Sequence, residues 1–163
     1  MSKRIEVKYC IRCGTAVNQQ PSYGQVRPVC PSCGWIHFAD PKVAVGIFIE
    51  KNDKILLVQR ASNPHRGKWS LPAGFVNAGE DPAEAAYREC LEETNLKTRA
   101  TRILGIYAEK EHDGGADFII VYCAEVVNGN LFAADDAADA AWFARDNLPE
   151  LAFEATRYFL ENF

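Results

Sequence analysis

Hydrophobic positions fall into several distinct regimes along this chain. Residues 1–38 show no helical or strand periodicity of any length. Ala39-Asp40-Pro41 then reads as a linker, because a residue that precedes proline is biased toward extended structure. Beyond it lie two β-rich apolar runs, Val43-Ala44-Val45-Gly46-Ile47-Phe48-Ile49 and Lys54-Ile55-Leu56-Leu57-Val58-Gln59-Arg60. Asn52-Asp53 between them suits a hairpin turn. A polar loop, 63–68, leads to Trp69-Ser70-Leu71-Pro72 and a glycine-punctuated stretch to Gly79.

A helix is expected next. Asp81 serves as N-cap, Pro82 fits the first helical position, Glu84 completes a box-like arrangement, and Asn95 suits a left-handed close. At about 100° per residue, Ala83, Ala86, Tyr87, Cys90, Leu91 and Thr94 gather on the side that packs on a sheet. Further strands are expected at 101–108, 118–127 and 141–144, and an amphipathic helix at 153–163. Strands and helices mix without strict βαβ alternation, which points to an α/β protein other than a doubly wound sheet.

The 163 residues are 48% hydrophobic and 25% charged, an ordinary globular composition with room for one core and a small accessory module. No apolar run approaches the roughly 20 residues of a membrane helix. The basic start, Met1 to Lys8, lacks the apolar stretch of a secretory signal, so a cytoplasmic location without membrane partners is expected. The net charge of −4 is uneven: residues 1–39 hold five Lys or Arg against one acid, a balance of +4, and the remainder stands at −8. The basic segment is either simply solvated or touches phosphate or nucleic acid. The acidic main domain makes general nucleic-acid affinity unexpected.

Cysteine placement sharpens the picture. Cys10-Ile11-Arg12-Cys13-Gly14 and Cys30-Pro31-Ser32-Cys33-Gly34 are two copies of one device, separated by sixteen residues. Cysteines three positions apart aim both sulfurs at one ion, and the following glycine tolerates the turn that results. Four thiolates make the closed tetrahedral set that structural Zn²⁺ prefers, leaving no position for catalytic water. The metal's expected task is to fold a segment too small to hold itself. Cys90 and Cys123 stand alone and read as small core residues.

Glu89, Glu92 and Glu93 fall within one arc of the helix that begins at Pro82. Like charges so placed repel by a few tenths of a kcal/mol per pair. A solvated acidic face is one reading. The other is a site for Mg²⁺ or Mn²⁺, which favour clustered hard oxygens together with substrate phosphate. Gly74 and Gly79 permit a bent loop beside the helix, and Glu80 is placed to restrain it.

These residues resemble the Nudix box: Gly, five residues, Glu, seven residues, Arg-Glu, an aliphatic, any residue, Glu-Glu, any residue, Gly and an aliphatic. Gly74, Glu80, Arg88, Glu89, Glu92, Glu93 and Leu96 match. Cys90 stands where an aliphatic is usual, and Asn95 where glycine is usual. The resemblance implies a Nudix α/β/α sandwich around a mixed sheet over residues 39–163, preceded by a zinc ribbon at 1–38.

It further implies that Glu89, Glu92 and Glu93 bind Mg²⁺ or Mn²⁺, with Glu92 or Glu89 as base, and that Arg88 orients them. The carbonyl of Ala73 or Gly74 would join the coordination. An additional acid before the last strand would be Asp139 or Asp136, and Glu109, Glu111, His112 and Asp113 form another polar cluster. A four-cysteine ribbon ahead of such a domain resembles the NADH pyrophosphatases and the ADP-ribose or FAD pyrophosphatases. The Ser-Gln-Pro-Trp-Pro-Phe-Pro run of the NADH enzymes is missing after Leu96, which favours ADP-ribose or FAD. Relatives of this kind are often homodimers.

The implied reaction is hydrolysis of a pyrophosphate bond in a small nucleotide derivative, releasing a nucleoside monophosphate. Phe48, Phe75, Tyr107 and Phe143 are available to stack on a base, although each also suits core packing. Arg60 and Arg66 are available to hold phosphate. A rival reading is a ribbon-based binding module whose Nudix domain is an inactive sensor.

Overall fold

The computed structural model describes residues 6–108 and 115–163, and the chain divides into two compact units, Met1–Pro41 and Lys42–Phe163. Glu109, Glu111, His112 and Asp113 lie outside the described residues.

In the first unit, β1 (Asn18–Ser22) and β2 (Gln25–Val29) form an antiparallel hairpin closed by Tyr23 and Gly24, both at positive φ. The sequence pattern showed no strand here. Pro21 and Pro28 interrupt any alternation, and the strand residues are exposed or half-buried rather than lining a buried apolar face.

The second unit is built on two sheets. The first has the order β7 (Ala73–Phe75), β3 (Val43–Phe48), β9 (Phe118–Asn128) and β8 (Lys97–Ala108). It is mixed: β3 runs parallel to β9, while the other pairings are antiparallel. The second sheet joins β10 (Ala137–Ala144), β5 (Lys54–Arg60) and β4 (Glu50–Lys51), with β6 (Trp69–Ser70) also on β5. Asn52 and Asp53 both take positive φ in the β4–β5 turn, as a tight hairpin requires.

Helix α1 (Pro82–Thr94) has the expected ends. Asp81 accepts from the backbone N–H groups of Ala83 and Glu84, Pro82 opens the first turn, and Asn95 at φ 57° closes it. One apolar cluster joins Ala85, Ala86 and Cys90 of α1 to Val45, Ile47, Leu56, Tyr122 and Ala124. The packing face differs slightly from expectation: Ala85 is fully buried and Tyr87 is 40% exposed. A second cluster gathers Phe48, Ile55, Leu57, Leu104 and Val121 around Phe159 and Leu160 of α2 (Glu154–Asn162). Cys90 is buried and Cys123 packs on this second cluster, so both are core residues. Among the described residues, no helix is long and apolar enough to cross a membrane.

Candidate functional sites: an acidic cluster and a cysteine cluster

The phase of the β3–β7 pairing decides which backbone groups face α1. Ile47 N–H donates to Pro72 O at 2.9 Å and Val76 N–H to Val43 O at 3.0 Å. Alternation along an antiparallel ladder then makes Val45 and Gly74 a hydrogen-bonded pair, since they hold the intervening register position. The polar groups of Gly74 are thus turned to β3, and those of Ala73 point to the opposite side. Ala73 N–H indeed donates to Glu93 Oε2 at 3.0 Å. The carbonyl that faces the carboxylates is therefore Ala73's; Gly74 O, the other candidate, is directed into the sheet.

Gly74 has a different role. A β-carbon built there would lie 2.0 Å from Glu89 Cδ, so the Glu89 carboxylate occupies the space a side chain would take. Glu93 is 5% exposed, and burial pushes its carboxyl up to about 9, with Asp136 and Glu89 adding to the rise. Burial likewise raises Glu89, and Arg88 pulls it partly back.

Arg88 ties the remaining acids together. Its Nε donates to Glu80 Oε1 at 2.7 Å, its Nη1 to Glu89 Oε1 at 2.7 Å and to Glu92 Oε2 at 3.0 Å, and its Nη2 to Phe75 O at 3.0 Å. Glu80 also accepts from Asn77 N–H at 2.9 Å, which pins the loop between β7 and α1. Arg88 is the main reason the Glu80 carboxyl is held down at about 2. Gly79, at φ 82°, gives this loop its turn. Glu92 is the most open of the three helix carboxylates, at 44% side-chain exposure against 13% for Glu89.

The loop that follows β9 adds an acid. Phe132 N–H donates to Thr94 O at 3.0 Å and Ala134 N–H to Glu93 O at 3.2 Å, which ties this loop to the C-terminal carbonyls of α1. Asp136 follows, close enough to Glu93 and Glu89 to raise both carboxyls. Asp139 does not share this position. It lies past a register shift in β10, and its Oδ1 accepts from Ala140 N–H at 2.8 Å. The acid brought to the glutamates is Asp136.

Phe48 is 4% exposed in the second cluster with Arg145 over its ring, so packing takes it out of reach of a base. Phe143 packs on Trp69 with ring centroids 4.7 Å apart, and Tyr107 on Tyr158 at 5.2 Å. Phe75 alone of the four is an exposed large ring, at 47%, and its carbonyl sits on Arg88. Arg60 braces its own loop: Nε donates to Pro64 O at 2.9 Å, and the guanidinium lies 5.0 Å from the Phe153 ring centroid. Arg66 is exposed in that loop.

In the first unit the two cysteine turns are near copies. Gly14 N–H donates to Cys10 O at 2.9 Å and Gly34 N–H to Cys30 O at 3.1 Å, and both glycines sit at φ 73°. The sulfur atoms of Cys10, Cys13, Cys30 and Cys33 all lie within 4.8 Å of one another. Cys10–Cys33 and Cys13–Cys33 are 3.6 Å apart and Cys13–Cys30 3.5 Å. Tetrahedral Zn²⁺ with bonds near 2.3 Å requires sulfur separations of about 3.8 Å, so the four thiols fit that ion. Disulfides, near 2.05 Å, are far shorter.

The mixed sheet, the two helices and the acidic α1, with Glu89 lodged against Gly74, belong to a hydrolase of phosphorus-containing anhydrides. A model of the NUDIX domain matches residues 40–163, and the chain belongs to that family. It is 44% identical over 118 residues to an ADP-ribose pyrophosphatase of Methanocaldococcus jannaschii, an overlap of 72% of this chain and 70% of that protein. A NAD-capped RNA hydrolase, NudC, of Pseudomonas aeruginosa is 28% identical over 88% of this chain, which spans 50% of its length. The crystal structure of a NUDIX hydrolase from Nitrosomonas europaea superposes with a TM-score of 0.84 at 31% identity, covering 95% of this chain and 89% of that one.

Proposed function

We propose that the enzyme hydrolyses the pyrophosphate bond of a nucleoside diphosphate joined to another group, with ADP-ribose the favoured substrate, FAD another, and a nucleoside monophosphate released. The carrying observation is the set of buried carboxylates, Glu89 and Glu93, held beside the Ala73 backbone with Glu92 and Asp136 at its margin. Buried like charges favour the protonated form unless a cation compensates them. The donor types, carboxylates and a backbone carbonyl, are those that Mg²⁺ or Mn²⁺ takes. The 44% identity to an ADP-ribose pyrophosphatase supports the choice of substrate.

Bound Mg²⁺ would coordinate phosphate oxygens and lower the pKa of an attacking water. Glu89 and Glu93 hold fixed positions, one against Gly74 and the other on Ala73 N–H. Arg88 keeps Glu89 and Glu92 in register, and of the two candidate bases the more open Glu92 would accept the water proton. Asp136 completes the acidic set from the β10 side. In the first unit, Zn²⁺ on the four cysteines serves the fold, and thiolate ligation suits a cytoplasmic protein.

NADH is a second candidate, because NudC, named for hydrolysis of NAD-capped RNA, matches 88% of the chain and so reaches into the first unit. The test is incubation with Mg²⁺ and FAD, ADP-ribose, NADH or nucleoside triphosphates, with release of nucleoside monophosphate as the readout. AMP from ADP-ribose at the highest kcat/KM is expected. Silence across the panel would overturn the reading and favour an inactive sensor domain.

A further inference from the structure

We infer that the cysteine-rich unit carries a stacking platform for single-stranded nucleic acid, formed by Tyr23 and Phe38 with Arg27 beside them. Tyr23 stands at the hairpin turn, where its φ of 48° commits the residue to the tip, and its side chain is 78% exposed. Phe38 is 47% exposed, and the two ring centroids are 5.7 Å apart at 51°. The Arg27 guanidinium lies 4.8 Å from the Phe38 centroid and donates to Ser22 O and Tyr23 O, so turn, ring and cation are held together. A hollow of about 270 Å³ opens alongside, lined by Gln25, Arg27, His37 and Phe38 among others.

Two exposed rings held side by side offer a surface on which a planar group can stack. Charge selects which one. Residues 1–39 carry five cations and one acid. Four thiolates with Zn²⁺ subtract about two charges, and the balance stays positive. Bases stack on aromatic rings whatever their sequence, while cations track the backbone, and this unit offers both groups. An apolar protein surface would use the rings but leave Lys8, Arg12 and Arg27 without counter-charges from it. The acidic second unit confines the affinity to the first, so binding is expected to be weak and to fall as salt rises.

The test uses the zinc-loaded full chain and a fluorescein-labelled twelve-residue oligouridylate, read by fluorescence anisotropy in Mg²⁺-free buffer. Tyr23→Ala is expected to weaken binding by about fivefold to a hundredfold, and Tyr23→Trp to preserve it. Pyrophosphatase rate and zinc content, unchanged in both variants, show that the fold survives. The inference is overturned if Tyr23→Ala binds like the parent, if inorganic polyphosphate displaces the oligonucleotide equally well from the parent and from Tyr23→Ala, or if sedimentation shows that Tyr23→Ala instead breaks a dimer. Its failure would leave the hydrolase reading standing, because that is carried by the acidic set of the second unit and tested by turnover.

Discussion

Glu89 lies in the space that any side chain at position 74 would need, with its Cδ 2.0 Å from where a Gly74 β-carbon would be. The contact links a strand residue to a helix residue fifteen positions on, and it makes glycine a requirement of the acidic cluster rather than of a turn. Gly74→Ala should therefore displace the carboxylate while leaving β7 paired with β3. Turnover is expected to fall on the order of a hundredfold with the melting temperature shifted by only a few degrees. Steady-state kinetics beside a thermal melt checks this; full activity would show that Glu89 moves aside without consequence.

Glu93 makes the metal-free protein sensitive to pH in a defined direction. Its carboxyl is raised to about 9, so the folded state keeps a proton that an unfolded glutamate releases near 4.5. Stability from this group is present below about 4.5 and is lost as pH climbs toward 9. Melting temperatures without divalent ions should decline across that window, and Glu93→Gln should flatten the decline. The same substitution is expected to lower turnover by orders of magnitude, because it removes a carboxylate proposed to hold the metal. Mg²⁺ loading at neutral pH should release protons, which calorimetry in buffers of different ionisation heat would detect. A near-parental rate for Glu93→Gln would remove the residue from the site.

Asp136 and Asp139 separate cleanly by experiment. Asp136 raises both buried glutamates, while Asp139 caps its own strand backbone. Asp136→Asn should weaken Mn²⁺ binding, measured by electron paramagnetic resonance, by about tenfold or more, and Asp139→Asn should leave it within twofold. Equal effects would mean that the register shift in β10 does not sort the two.

This pair also shows where sequence reading stops. The ends of α1 were legible because capping is local: Asp81, Pro82 and Asn95 each act on groups within a turn of themselves. Gly74, Glu80, Arg88 and the glutamates came as one spaced motif. Asp136 was ambiguous because its position depends on an irregularity between Ala137 and Asp139, which no spacing announces. Phe48 reads as a free aromatic until Ile55, Leu57 and Phe159 close around it. The start of β8 at Lys97 was missed because an edge strand alternates Lys, Thr, Arg and Ala instead of apolar residues. The bond from Ala73 N–H to Glu93 was hidden too, though pairing phase, once known, predicts it.

For the cysteine cluster, the expectation concerns order rather than chemistry. Cys30→Ser should abolish stoichiometric zinc and expose the amides of β1 and β2 to rapid exchange, because small zinc units fold only with their ion. Mg²⁺-dependent turnover of the second unit should persist within a few-fold. Loss of turnover without loss of the second unit's amide protection would give the zinc a part in the reaction.

Arg88 has a consequence for the resting enzyme. One guanidinium spans Glu80, Glu89 and Glu92, so these acids keep their arrangement through a permanent cation that never leaves the chain. The acidic set is thereby held near its working shape, and capture of divalent ions should follow ion dehydration and loss of the Glu93 proton instead of waiting on rearrangement of the protein.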